Sequence, residues 1–206
     1  NALNDTRTAS SPRAPHLQVS VRHAALRALG EIGAKARPAV PEIVILLPRT
    51  NFAIQSAFGV NSVLDGSDGR EACRALAAIG PAAELAVPML RAMLKQSTEP
   101  PSELLSDHSL PASTVTVHVE NARRAYQVEL VRALGNIGNR EALPELLSIV
   151  QVPHYELQIA TATAIWQIDR KQSPAVRAIL LPIKSSNDAN AAALANQLLN
   201  NIPDSP

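Results

Sequence analysis

Metal and acid–base chemistry in this chain would have to come from five histidines, one cysteine and eighteen carboxylates. The histidines are His16, His23, His108, His118 and His154. A helical zinc site needs two ligands one turn apart on one face, and no two of these histidines have that spacing. Cys73 stands alone, so there is neither a CxxC motif nor an internal disulfide. Asp107, His108, His118 and Glu120 come closest to a ligand set, and only if the segment between them folds back. No catalytic, cofactor-binding or metal residue is therefore assigned. Cys73 falls in a column of small apolar residues, where a free thiol acts as a small buried hydrophobe.

The remaining chemistry is recognition. Net charge is +1, which gives no general pull toward nucleic acid or an anionic membrane. No apolar run approaches the length of a membrane-spanning helix, and no signal peptide is visible. Aromatics are 2% of residues against 46% hydrophobic, which suits a core of Ala, Leu, Ile and Val between close helices rather than a β-sandwich. The arginines Arg27, Arg74 and Arg132 recur at one place in successive copies of a motif. They are expected either on a solvated outer face or as a ladder meeting an acidic partner.

That motif supplies the elements. The blocks ALGEIG, ALAAIG, ALGNIG and AIWQID, with a weaker LLNNIP, share an aliphatic anchor at Leu29, Leu76, Leu134, Ile165 and Leu199. Three residues after each anchor comes an isoleucine: Ile32, Ile79, Ile137, Ile168 and Ile202. Residues three apart share one helix face, so each block closes a helix with an inward stripe. Gly33, Gly80 and Gly138 follow, where glycine accepts the left-handed geometry that ends a helix. Pro41, Pro88 and Pro144 then open second helices, with Arg177 in that place in the fourth copy. Ile43, Leu46 and Leu47 begin a second inward stripe that returns as Leu90, Met93 and Leu94, then Leu146, Ile149 and Val150.

Self-similarity of this kind predicts an all-α fold, a right-handed α-solenoid of about four helical-hairpin repeats plus a terminal helix. The repeats are expected over 17–47, 68–96, 119–151 and 155–184, with the terminal helix at 188–202. Residues 1–16 read as a flexible lead-in, and 48–67 and 97–118 as insertions. The first insertion holds Phe52 and Phe58; the second is rich in Ser, Thr and Pro. The chain begins with Asn1 rather than methionine, as expected of a piece processed or excised from a longer protein.

The ALGxIG blocks, with AVPEI, AVPML and ALPEL behind them, resemble the HEAT-repeat family, and most closely its short bacterial phycobilisome-lyase HEAT-like form. The resemblance implies a stack of antiparallel helix pairs whose second helices line a concave face. Iron enzymes built on HEAT-like repeats carry His-Glu pairs on their helices, and this chain has none. A lyase is the activity that the family's name suggests, without a residue set here to carry it. The expected role is a non-catalytic scaffold for a protein or peptide partner, monomeric and without cofactor. The alternative is a structural or regulatory domain of a larger enzyme or receptor. The candidate contact residues are Glu42, Arg91, Lys95, Glu145 and Arg177 on the second helices. Trp166 joins them, one residue past its anchor, where the other copies carry Gly30, Ala77, Gly135 and Asn200.

Overall fold

A computed structural model of the protein describes residues 8–11, 14–48, 67–98 and 112–203. Among the described residues the helices fall in successive pairs: α1 (Val21–Ile32) with α2 (Val40–Val44), α3 (Ser67–Ile79) with α4 (Val87–Thr98), α5 (Ala112–Ile137) with α6 (Leu143–Ile149), and α7 (Tyr155–Ile168) with α8 (Ser173–Lys184). A last helix, α9 (Ala189–Asn201), closes the series. The first helices stack in order, α1 on α3, α3 on α5, α5 on α7 and α7 on α9, while α4 touches α6 on the other layer. Gly33, Gly80 and Gly138 have φ of 64°, 68° and 79°, the left-handed geometry that stops each first helix. A short 3-10 turn follows, and the prolines sit in the first turn of α2, α4 and α6. In the fourth pair Asp169 replaces the glycine with an extended backbone, and its carboxylate accepts from the Lys171 N–H.

The two stripes meet in one continuous core. Leu26, Leu76, Leu134 and Ile165 from the first helices are fully buried, as are Ile43, Leu90, Leu146 and Leu180 from the second. Each contributes about 1.5–3 kcal/mol on full burial. The isoleucine column departs from expectation at its first member. Ile79, Ile137, Ile168 and Ile202 are at most 8% exposed, but Ile32 is 53% exposed. The side of the helix that carries this isoleucine turns toward the preceding pair, and α1 has no preceding pair among the described residues. Ala24 and Ala28, on the same side, are exposed with it.

Three expected boundaries also move. Residues 8–11 and 14–20 pair as antiparallel strands rather than as a flexible lead-in, with Thr8 opposite Ser20 and Ala9 opposite Val19. The run His16-Leu17-Gln18-Val19-Ser20 alternates polar and apolar, a strand period, so α1 begins at Val21 instead of 17–20. α5 starts at Ala112, which takes residues 112–118 out of the expected insertion and into a long helix. Phe52 and Phe58 lie outside the described residues. Residues 68–98 have the hydropathy of a membrane span, but they are two helices folded at Gly80 and half buried against the other pairs.

One polar tie skips a pair. The Tyr126 hydroxyl on α5, itself buried, donates to the Leu47 carbonyl at 3.0 Å, just beyond the end of α2. Nearby, Arg123 and Gln127 donate to the Ser97 carbonyl at 2.5 and 2.7 Å and so hold the last turn of α4.

Cys73 lies in the α3 core, and burial pushes its thiol far above the ordinary range. A thiol reagent such as 5,5′-dithiobis(2-nitrobenzoate) should leave Cys73 unmodified in the native protein and titrate it on unfolding in urea. Rapid native labelling would contradict this burial.

Candidate functional site

The arginine column is neither free nor simply solvated. Glu71 on α3 and Glu129 on α5 lie buried between successive first helices and pair with it. Arg27 donates to Glu71 Oε1 at 3.3 Å, and Arg74 donates to the same oxygen at 2.8 Å. Arg74 also donates from Nε and Nη2 to Glu129 Oε1, at 3.0 and 2.9 Å. Arg132 lies 3.7 Å from Glu129 and 3.8 Å from Glu156. Charges of alternating sign thus run along the stack and link each first helix to the next.

A second polar cluster ties the start of α1 to the start of α3. Asp68 accepts from Arg22, and its Oδ1 lies 2.7 Å from His23 Nε2. The His23 bond, with Arg22 behind it, holds the Asp68 carboxyl below its ordinary value although burial pushes the other way. A carboxyl depressed on folding adds stability above its unfolded pKa of 3.8, and that stability fades as pH falls through the folded value. Urea melts of the protein and of Asp68→Asn should therefore differ at pH 7, and the difference should begin to shrink below about pH 4 and be lost below the folded value. A difference that persists in acid would remove this account.

The second-helix candidates do not gather into one site. Arg91 donates to Glu145 Oε1 at 2.8 Å and lies 3.4 Å from Glu141, which joins α4 to the next pair. That bond holds the Glu145 carboxyl below its usual value, and Lys95 adds to it from nearby. Arg177 donates to the Ile202 carbonyl at 3.0 Å, just past the C-terminus of α9. Glu42 is exposed on α2, well before these in the stack. Trp166 is on α7, a first helix, half-buried against the core with the Arg170 guanidinium 5.1 Å from its ring centre. Of the four residues that come closest to a ligand set in the sequence, Asp107 and His108 lie outside the described residues. Glu120 instead accepts from Arg123 and Arg124 on its own helix.

One concavity, of about 790 Å³, crosses α3, α5, α7 and α9. Its floor is α7, where Ile159, Ala160, Thr163 and Ala164 keep the surface low. Arg132 and Asn136 of α5 form one wall; Leu194, Gln197 and Leu198 of α9 form the other. The second-helix side offers a hollow of about 660 Å³ with Leu147, Ile179 and Ile183 in its lining, and a smaller one of about 390 Å³ lined by Arg37, Glu84, Asn139 and Glu141 among others.

The PBS lyase HEAT-like repeat matches residues 21–47, which are α1 and α2, and 127–151, which are the second half of α5 with α6. The chain carries HEAT-like repeats. No curated protein matches it. An engineered protein with a crystal structure is 21% identical, covering 88% of this chain and 90% of its own, with a TM-score of 0.30. That likeness is too distant to carry a statement about shape or role.

Two features of these HEAT-like units went unread in the sequence. The ladder had a signal: EACR (71–74) and ELVR (129–132) place a glutamate three residues before the arginine, on the same face. The trough had a fainter one in the small residues of IATATA (159–164), which read as stripe rather than as a low surface.

Proposed function

We propose that this chain is a non-catalytic scaffold, a right-handed α-solenoid of about four HEAT-like repeats and a terminal helix, which binds a protein or peptide. The observation that carries this reading is the trough over α7. It is an apolar floor between polar walls, with an exposed leucine on one of them. Recognition sites are concave and mostly apolar, with a few placed polar groups. The favoured surface is thus the first-helix side, not the second-helix side expected from the sequence. Arg91 and Glu145 on that other side are engaged with each other. A second reading, a structural or regulatory domain of a larger enzyme or receptor, is favoured by the exposed Ala24, Ala28 and Ile32 of α1. Such a face suits burial against another unit.

Affinity capture from cells tests the first reading with three baits. These are the unaltered chain, a trough variant Leu194→Arg, and a second-helix variant carrying Arg91→Glu and Lys95→Glu. Capture lost with the trough variant alone supports it. Capture lost only with the second-helix variant moves the site to that face. No capture above a charge-matched control defeats the scaffold reading.

A further inference from the structure

Each first helix turns one side toward the first helix before it, and the repeat columns say which residues are on that side. They are Glu71, Ala75 and Ile79 on α3, Glu129, Ala133 and Ile137 on α5, and Ala160, Ala164 and Ile168 on α7. Every one of these is at most 8% exposed. On α9 the same places belong to Leu194, Leu198 and Ile202. Ile202 is 4% exposed, Leu198 is only partly buried, and Leu194 is 52% exposed. The preceding helix therefore covers this side along its whole length on α3, α5 and α7, but at one end only on α9. The trough lies where that cover is missing, and α9 keeps its place by resting on α8 as well.

The crossings differ in what the preceding helix brings to them. A Cβ on Gly30 of α1 would lie 3.6 Å from Ala75 Cα, and one on Gly135 of α5 would lie 2.8 Å from Ala164 Cα. The residue after an anchor thus faces the residue before the next anchor. Both are small in the covered crossings: Gly30 with Ala75, Ala77 with Ala133, and Gly135 with Ala164. In the last crossing the corresponding residues are Trp166 and Leu198. Helix axes approach to about 8–10 Å according to the side chains between them. An indole with an isobutyl group cannot fit where glycine and a methyl group do. Trp166 and Leu198 are both partly buried against the core, and the Arg170 guanidinium stands 5.1 Å from the indole ring centre. A cation over the ring face favours that placement of the ring.

We propose that Trp166 is a spacer that holds α9 off α7, and that this spacing keeps the α7 floor and Leu194 open as the trough. Trp166 does not itself line the trough, so it acts as a positioning residue. The trough takes its role from the scaffold reading, whereas the spacing rests on the columns alone.

The test measures the width of the trough directly. Asn136→Cys on α5 and Gln197→Cys on α9 place nitroxide labels at exposed positions on opposite walls, and Cys73 stays in place because it is buried. Pulsed electron paramagnetic resonance reads the distance between the labels. Trp166→Ala should shorten it by about 2 Å, the range over which side-chain size moves helix axes. Trp166→Phe should keep most of the distance. Should Trp166→Ala lose its helical circular dichroism, Trp166→Leu decides, with a smaller shortening expected. An unchanged or longer distance in a folded alanine or leucine variant overturns the proposal. Cellular capture by Trp166→Ala should fall to the level of Leu194→Arg, with Trp166→Phe restoring it. A shortened distance with capture unchanged would leave the spacer standing and remove the trough as the binding surface.

Discussion

Replacing Ile79 by alanine should lower stability by about 2–5 kcal/mol, and the same change at Ile32 should stay within about 0.5 kcal/mol. The two isoleucines occupy one column of the repeat, each three residues after a leucine and just before a glycine. Ile79 is 2% exposed between α3 and its surroundings, so alanine there leaves a cavity; Ile32 at 53% exposure leaves none. Urea unfolding followed by circular dichroism measures both. Equal losses would mean that the outer side of α1 is covered in solution.

The second contrast is between two glycines that also share a column. A Cβ on Gly135 would lie 2.8 Å from the Cα and Cβ of Ala164 and 2.6 Å from Gln167 Oε1. Ala164 is backbone and first carbon of α7, so it cannot swing aside as a long side chain could. Gly135→Ala must push α5 and α7 apart, an overpacking cost of about 1–3 kcal/mol. The intrinsic gain of alanine over glycine in a helix, about 1 kcal/mol, offsets only part of that. A Cβ on Gly30 would meet Ala78 Cβ at 3.4 Å and Ala75 Cα at 3.6 Å, ordinary contacts, so Gly30→Ala should keep most of its helix gain. The protein should therefore be destabilised by the first substitution and unchanged or stabilised by the second. A destabilised Gly30→Ala alongside a neutral Gly135→Ala would contradict the closer approach of α5 and α7.

These pairs mark where sequence was readable and where it stopped. Column identity told which helix face each residue is on, and the glycines with positive φ told where helices end. Both follow from local geometry. Whether a face is covered depends on the neighbouring pair, which is a property of position in the stack. Ile32 and Ile79 look alike in their own blocks for that reason. The same limit hid the trough. A trough is the height difference between adjacent helices, and no column within one repeat contains it. The ladder was closer to legible, because Glu71 and Glu129 sit on the same helices as Arg74 and Arg132. What the sequence left open was that each glutamate also reaches an arginine of the preceding pair. The pairing of the second-helix charges was hidden for the matching reason, since Arg91 finds Glu145 a pair away.

Stacks whose members touch only their neighbours can peel from either end, one hairpin at a time. The Tyr126–Leu47 bond works against peeling at the first end. It fastens the tail of the opening hairpin to the third, 79 residues along the chain. Amide hydrogens of α1 and α2 should then exchange with solvent at rates close to those of the middle, while α9, whose ties from Ser173 and Arg177 reach only to the adjacent α8, exchanges sooner.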